Sequence, residues 1–202
     1  MIQFDNAVER FGGIILNELK EENIKCWIAG GSLRDYFMSK PITTDYDIFF
    51  PNENEYDKAY SYITSKDHKI KWESDNGCKI EYDGKTFDLI KKYFPSPQAT
   101  IDAFDFTTSM LAIDHKDVYH GKTTFIDLAK RQLMINKITY PASTLSRAFR
   151  YTKKGFHLCL GEMKKIIEAI QEMPKKEDEQ KNEKENLEED LSSFDPMFAG
   201  ID

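Results

Sequence analysis

Two aspartates stand two residues apart at the start of a predicted strand. Asp45 and Asp47 precede the apolar run 48–50, which is typical of a buried strand. Because residues two apart in a strand point to the same face, the two carboxylates are expected side by side. Such a pair repels unless a cation lies between them, and Mg²⁺ is commonly held by a few carboxylates together with water and substrate phosphates. The spacing therefore predicts a metal site.

A glycine turn lies shortly before this pair. Gly30 and Gly31 follow the apolar run 25–29 and precede a predicted short helix over 33–38, for which Ser32 is the predicted N-cap. Glycines let the backbone approach a ligand closely, and the free amides at a helix start can bind an anion. The Ser32 hydroxyl would add a donor. Phosphate beside a carboxylate-bound metal is the arrangement expected for phosphoryl or nucleotidyl transfer.

Each half of this pattern has a simpler interpretation. An isolated Gly-Gly is most often a turn, and an isolated Asp-x-Asp is most often a solvated loop or strand edge. The order strand, glycine turn, helix, strand makes the combination more specific. The apolar residues after Asp47 also place the pair at the start of a core strand, where carboxylates have no structural purpose.

The elements that must position these residues alternate along the chain. Helical spacing and capping signals predict helices over 5–22, 53–65, 95–104, 126–130, 144–153 and 158–173. Apolar alternation and turn signals predict strands over 45–50, 68–73, 78–82, 86–93, 106–114, 118–119 and 132–135, with a hairpin turn at Asp83-Gly84. The mixture predicts an α/β (α+β) fold with helices around a mixed sheet.

Length and charge set limits on the function. A chain of 202 residues permits one domain and a short extension, and it can fold without a disulfide or a structural metal. The net charge is -7, of which -6 lies in 174–202. The nearly neutral remainder argues against a strongly basic nucleic-acid platform but permits a local basic patch. The run 175–190 predicts disorder or a lone solvated helix, and the apolar 194–199 either a docking peptide for a protein partner or a disordered end.

The cysteines and the N-terminus bear on location. Cys26, Cys78 and Cys159 are widely spaced, so they are predicted to be buried thiols in a reducing compartment. The chain starts without a basic segment followed by an apolar core, and no stretch has the length of an apolar membrane span. We therefore expect a cytoplasmic protein without a membrane partner.

Two blocks of the sequence resemble a known family. Gly-Gly-Ser-Leu-Arg-Asp at 30–35 and Asp-Tyr-Asp-Ile at 45–48 are similar to the signature of the nucleotidyltransferase superfamily that includes DNA polymerase beta. The similarity is greatest to the head domain of bacterial poly(A) polymerases and CCA-adding tRNA nucleotidyltransferases. Later segments continue it: 87–90, 105–112, 126–133 and 145–156. The resemblance covers about 24–157 and, with the N-terminal helix, implies a head domain at 1–157. Residue spacing and charge then predict a C-terminal helix at 158–173 and an acidic, disordered tail at 174–202.

The resemblance also implies a set of site residues. Asp45 and Asp47 would bind two Mg²⁺ ions, and Asp88 would be a further metal ligand that helps to deprotonate the attacking hydroxyl. Arg34 would contact triphosphate or brace the loop, and Asp105 would bind the ribose. The full set implied to hold the nucleoside triphosphate is Gly30, Gly31, Ser32, Arg34, Asp105, Arg147 and Arg150. For the two later arginines, a surface ion pair is the alternative.

The implied reaction moves a nucleoside monophosphate, with ATP as one candidate donor, to a hydroxyl acceptor such as an RNA 3′ end, and releases pyrophosphate. The sequence departs from the family at Ala103 and Phe104, where arginines are common, and at Ser109, where asparagine is common. The Glu-Asp-x-x-Arg template of CCA-adding enzymes is absent from the sequence, so CCA addition is not predicted. Two alternatives stay open: an inactive binding or structural module with this fold, and a nucleotidyltransferase that modifies a protein partner.

Overall fold

A seven-stranded mixed sheet forms the centre of the described part of the chain. The structure is a computed structural model that describes residues 4–11, 15–42, 45–66, 69–82 and 84–173. The strands are β1 (Trp27–Ala29), β2 (Tyr46–Phe49), β3 (Lys69–Ser74), β4 (Gly77–Tyr82), β5 (Lys85–Ile90), β6 (Leu111–Ile113) and β7 (Val118–His120). They are ordered β3-β4-β5-β2-β1-β6-β7. The pair β2 and β5 is parallel, and the other neighbouring pairs are antiparallel.

Eight α-helices accompany the sheet in the described residues. They are α1 (Phe4–Phe11), α2 (Asn17–Glu21), α3 (Gly31–Phe37), α4 (Glu53–Ser65), α5 (Pro97–Asp102), α6 (Thr124–Lys130), α7 (Pro141–Lys153) and α8 (Leu160–Gln171). Side-chain caps explain two of the starts. Asn52 accepts a hydrogen bond from the Glu55 amide at the start of α4, and Ser96 accepts one from the Ala99 amide at the start of α5.

The two faces of the sheet have different partners. Ile28 and Ile48 point to one face and belong to the large core, which also contains the buried residues of α4. Trp27 and Phe49 are register partners on the other face, where a smaller apolar cluster includes Ile101 of α5. Because side chains alternate along a strand, the face with the smaller cluster is also the face of the predicted metal site.

The predicted mixed α/β fold is confirmed, and several local predictions are wrong. Ser32 is not the N-cap of α3. Gly30 has that position with φ 92°, a left-handed conformation that favours glycine, and Ser32 lies inside the helix. Cys159 is exposed, whereas Cys26 and Cys78 are buried as predicted.

The predicted strands over 106–114 and 132–135 also differ from the structure. A 3₁₀ turn at Thr107–Ser109 shortens the first to β6, and the second contributes only isolated bridges. Residues 12–14, Asp83 and the segment 174–202 lie outside the described residues, so the predictions made for them are not addressed. Among the helices that are described, none combines the length and the apolar character that crossing a bilayer requires.

Candidate active site

The three predicted carboxylates lie on neighbouring strands. Asp47 on β2 is the register partner of Asp88 on β5, and Asp45 immediately precedes β2. Register partners project from the same face of a sheet, so the Asp47 and Asp88 side chains stand side by side. All three residues line one cavity of about 430 Å³. The structure thus brings together the residues that the sequence pattern assigned to a metal site.

A lysine that the sequence reasoning missed lies among these carboxylates. Lys79 on β4 is the register partner of Asp88. Its Nζ donates a hydrogen bond to Asp45 Oδ2 and lies 3.4 Å from Asp88 Oδ2, so the ammonium group bridges the two carboxylates. A signal for this contact was present, because counting back from the Asp83-Gly84 hairpin places Lys79 opposite Asp88.

Negative charge exceeds positive charge in this cluster. Burial and the charges of Asp88 and Asp45 raise the pKa of Asp47 to about 7, and Lys79 only partly opposes this shift. Burial also raises the pKa of Asp88, again against the effect of Lys79. The hydrogen bond to Asp45 is the main cause that raises the pKa of Lys79. A further cation would therefore stabilise the ionised form of all three carboxylates.

The ligand types suit a hard divalent cation. Three carboxylates on one sheet face offer the oxygen ligands that Mg²⁺ prefers, and burial together with the charges of Asp88 and Asp45 raises the pKa of Asp47 against the effect of Lys79. Within the residues that the structure describes, no three such groups are gathered closely enough to enclose an ion. Instead, the Lys79 ammonium bridges Asp45 and Asp88.

The glycine turn lies directly beside the Asp47 carboxylate. A Cβ atom on Gly30 would lie 3.6 Å from Asp47 Oδ2 and 3.8 Å from the Phe104 ring, and φ at Gly30 is 92°. Those distances are ordinary van der Waals contacts, so the positive φ is the feature that favours glycine at this position. Ser32 is fully buried, and its hydroxyl has no hydrogen-bond partner among the described residues. A contact between Ser32 and a triphosphate stays a prediction.

Basic side chains line the same cavity as the carboxylates. They are Arg34, Arg147, Arg150 and Lys154. Lys154, which sequence reasoning did not select, has a lowered pKa because of burial and then the nearby charge of Arg34, with Arg150 and Lys40 acting in the same direction. Such crowding of cations favours an anionic ligand. We call these four residues the cationic wall and Asp45, Asp47 and Asp88 the carboxylate wall.

Arg34 is a buried side chain of α3 that contacts Asp35 and α7. It is 2% exposed, and its Nε and Nη2 donate to Asp35 Oδ1 at 2.9 Å and 2.7 Å. Its guanidinium carbon lies 5.0 Å from the centroid of the Tyr151 ring, and the Tyr151 hydroxyl is hydrogen bonded to Ser109. Of the two roles predicted for Arg34, bracing is the one that these contacts support.

Asp105 and Arg147 are partners of each other. The Arg147 guanidinium donates to Asp105 Oδ2, and Asp105 is 7% exposed. Both residues line a second cavity of about 340 Å³, which shares Gly31, Asp47 and Arg147 with the first. The two cavities are therefore parts of one cleft. Within this cleft, Arg147 forms an ion pair with Asp105, which is the alternative stated for it above. It also lines the cavity that contains other residues predicted to bind the nucleotide.

Aromatic rings form one side of the second cavity. Phe104 lies at a position where the resembled family carries arginine, and its ring centroid is 6.0 Å from that of Phe49. Phe94 lies 6.2 Å from Phe49 by the same measure, and Tyr140, which also lines the cavity, is 59% exposed. The rings offer stacking surfaces for a base, a property that sequence reasoning did not identify.

One family matches the chain in sequence. The sequence model described as Gad2, Gabija anti-defense 2 family protein, matches residues 3–131. That range includes the glycine turn and the whole carboxylate wall, and it ends before Arg147, Arg150 and Lys154. No curated protein matches the chain.

Solved structures of tRNA-processing enzymes share the fold. A "tRNA-processing enzyme (apo form I)" has a TM-score of 0.63 and 16% identity, covering 84% of this chain and 48% of that one. A Thermotoga maritima CCA-adding enzyme complexed with tRNA gives 0.61 and 18%, covering 78% and 41%. A Bacillus stearothermophilus CCA-adding enzyme with CTP gives 0.60 and 19%, covering 77% and 41%. The chain thus spans less than half of each of these three structures, and the similarity confirms the predicted nucleotidyltransferase fold.

Proposed function

Since this chain belongs to the Gabija anti-defense 2 family and has a nucleotidyltransferase fold, we propose that it is a metal-dependent nucleotidyltransferase. It would move a nucleoside monophosphate from a nucleoside triphosphate to a hydroxyl acceptor and release pyrophosphate. We propose an RNA 3′ end as the acceptor, because solved structures with this fold are described in complex with tRNA and with CTP. The family name describes a protein that acts against the Gabija defence, and we propose that nucleotidyl transfer is how this chain acts.

One observation carries the proposal: three carboxylates and a glycine turn meet in a cleft whose other wall is cationic. A nucleoside triphosphate needs both parts. Its phosphates need positive charge, and a metal that accompanies them needs carboxylate ligands. The juxtaposition of the two walls is therefore better matched to a metal-bound triphosphate than to a purely anionic or a purely cationic ligand.

Each side chain has a definite part in the proposed reaction. Asp45, Asp47 and Asp88 would hold Mg²⁺, which when bound would neutralise charge on the phosphates. Arg150 and Lys154 would pair with phosphate oxygens. The acceptor oxygen would attack the α-phosphorus. The bond from that phosphorus to the oxygen that bridges it to the β-phosphorus would break, and pyrophosphate would leave. Asp88, which lines the same cavity, would take the hydroxyl proton.

A second candidate is a binding module that keeps the fold without the activity. The observation that favours it is the Lys79 ammonium, which bridges Asp45 and Asp88 and thus supplies a cation from within the chain. In such a module the carboxylates would be paired permanently with Lys79. Triphosphate with Mg²⁺ would then leave the melting temperature unchanged.

A transfer assay tests the proposal and separates the acceptors. The full chain is incubated with each α-labelled triphosphate, Mg²⁺ and either total RNA or lysate protein, and label in each macromolecule is measured. We expect label in RNA. Label only in protein supports the alternative acceptor. Asp45→Ala and Asp47→Ala should abolish transfer, whereas Asp57→Ala on α4, an exposed aspartate on the opposite face of the sheet, should not. Wild-type rates in both site variants would disprove the metal site.

A further inference from the structure

An exposed tryptophan continues the row of the carboxylate wall. Trp72 on β3 is the register partner of Lys79, which pairs with Asp88, which in turn pairs with Asp47. Register partners share a sheet face, and the contact between the Lys79 ammonium and Asp88 confirms the shared face for those two residues. Neighbouring strands are about 4.8 Å apart, so the row places Trp72 about 10 Å from Asp88.

Trp72 is one of the exposed large apolar side chains of the chain. The side chain is 56% exposed on a strand that lies at the end of the sheet among the described residues. Exposed apolar residues on edge strands promote unwanted pairing with other chains, so a protein without a use for the ring is expected to lack it. The other tryptophan has a structural role: Trp27 is 4% exposed, and its indole N–H donates to Thr100 at 2.9 Å.

Positive charge accompanies the exposed ring. Lys69 and Lys71 on the same strand are both exposed. Lys71 forms an ion pair with Glu81 at 2.7 Å, and Lys69 lies in register with the same glutamate. One carboxylate thus accompanies two ammonium groups. An aromatic face next to lysines is the combination that binds single-stranded nucleic acid without base preference, because every base has a face that can stack.

We propose that Trp72, Lys69 and Lys71 form a stacking platform for single-stranded RNA. This proposal rests on the proposed function, because the path that it assigns to the RNA is the path of the acceptor strand in that reaction. The triphosphate would lie against the cationic wall, and the acceptor would approach from β3, so that its end meets the carboxylate wall between them.

A protein partner fits this surface less well. Ile70, the nearest exposed apolar side chain on β3, is paired with the buried Ile80 and therefore points to the opposite face. The face with Trp72 offers one aromatic ring among charged groups, whereas protein interfaces usually present several apolar side chains together. Lys69 and Lys71 offer ammonium groups to phosphate, and the one ion pair shown for them joins Lys71 to Glu81.

Intrinsic fluorescence provides a direct test. The chain has two tryptophans, and the buried Trp27 serves as an internal reference. The full chain is titrated with an unstructured RNA of about 12 nucleotides, a length within typical single-strand site sizes, without metal or triphosphate. We expect the RNA to quench wild-type emission. Trp72→Phe should show almost no quenching, because only Trp27 then reports.

Affinity measured with labelled RNA completes the test. Trp72→Ala should weaken binding about 5- to 100-fold, the loss typical of one stacked base, whereas Trp72→Phe should stay within a few fold of wild type. Lys69→Gln combined with Lys71→Gln should lower the slope of log Kd against log salt by about one. Leu160→Ala and Lys164→Ala on α8, which remove an exposed apolar side chain and an exposed lysine, are the matched controls and should bind normally.

The outcomes separate this inference from the proposed function. Unchanged RNA affinity in Trp72→Ala, or wild-type emission that RNA does not quench, would overturn the platform even if label transfer occurs. Capture of a protein, but not RNA, through Trp72 would overturn it as well. RNA binding that depends on Trp72 in a protein without any transfer activity would support the platform and reject the proposed reaction.

Discussion

The carboxylate wall comes from the two neighbouring strands β2 and β5, whereas the cationic wall joins α3 to residues at the end of α7 and beyond it. In the carboxylate wall, strand register sets Asp47 beside Asp88, and Asp88 beside Lys79. In the cationic wall, packing of distant segments sets Lys154 near Arg34. The first wall depends on backbone hydrogen bonding between two strands that are distant in the sequence, and the second on the packing of side chains from distant segments. Substitutions on the two walls should therefore differ in their effects on stability and activity.

Asp47→Asn is expected to have the largest effect on activity. It removes a central charge of the carboxylate wall while preserving the shape of the side chain. If the proposed function is right, transfer should fall by at least about 1,000-fold, since metal-based charge stabilisation contributes several kcal/mol. Single-turnover assays with a labelled triphosphate measure this loss. A decrease of less than about tenfold would place the reaction elsewhere.

The same variant makes a prediction about pH. Because the pKa of Asp47 is raised to about 7 in the folded chain, the folded state holds this proton more tightly than the unfolded state. The resulting stabilisation is complete below the ordinary carboxyl pKa near ~4 and is lost as the pH rises through about 7.

The measurement compares melting temperatures without metal across that window. Asp47→Asn cannot ionise, so its melting temperature should rise relative to wild type by about 2–8 °C as the pH increases. Asp57→Asn, on the exposed surface of α4, should show no such trend. A constant difference between wild type and Asp47→Asn would show that the Asp47 environment does not disfavour its charge.

Arg147→Ala should affect both stability and activity, because it leaves the buried Asp105 carboxylate without its partner. Since the Arg147 side chain is 44% exposed, solvent limits the expected loss of folding free energy to about 1–2 kcal/mol. Transfer should fall about 10- to 100-fold. Adding Asp105→Asn should restore much of the melting temperature but not the activity. If the double variant is as unstable as the single one, the ion pair does not explain the loss.

Sequence patterns predicted the carboxylate wall better than the cationic wall for a physical reason. Alternation along β2 and the order of strand, turn and helix are local signals, and they pointed to Asp45, Asp47 and Gly30 directly. Register across a hairpin is also a local signal, so the pairing of Lys79 with Asp88 could have been predicted from the sequence. The position of Lys154 depends on how the end of α7 packs near α3. No spacing in the sequence predicts that Lys154 lies close to Arg34.

The same distinction explains the errors in the fold. The helix over 53–65 was predicted within its observed bounds because its cap, Asn52, acts within one turn. The strand predicted over 106–114 has an apolar pattern, but the Thr107 hydroxyl donates to Asp127 at 2.7 Å, and this segment begins with a 3₁₀ turn. A side-chain contact across twenty residues cannot be predicted from local alternation.

Lys154→Ala should have a smaller effect than Arg147→Ala and should leave stability intact. Burial, and then the charges of Arg34 and Arg150, lower the pKa of Lys154, so removing the amine relieves a desolvation cost and repulsion in the free protein. Affinity for triphosphate should nevertheless fall about 5- to 10-fold, the loss of one partly exposed charged contact. Equilibrium binding of a labelled triphosphate and melting temperature are the two readouts. Lys130→Ala, an exposed lysine on α6, is the control, and equal affinities in the two variants would remove Lys154 from the cationic wall.

Lys79→Met should produce the smallest change, and it tests whether the carboxylate wall can accept a metal at all. The Lys79 ammonium occupies oxygens of Asp45 and Asp88 that a divalent cation would need. Without it, repulsion among the carboxylates should lower the metal-free melting temperature, while affinity for Mn²⁺ should rise about 3- to 10-fold. Electron paramagnetic resonance of free Mn²⁺ measures that affinity independently of activity, with Lys58→Met on α4 as the control. Higher affinity would show that Lys79 competes with the metal. Unchanged, weak binding in both proteins would instead favour the inactive module, in which the lysine is the only cation that this wall ever holds.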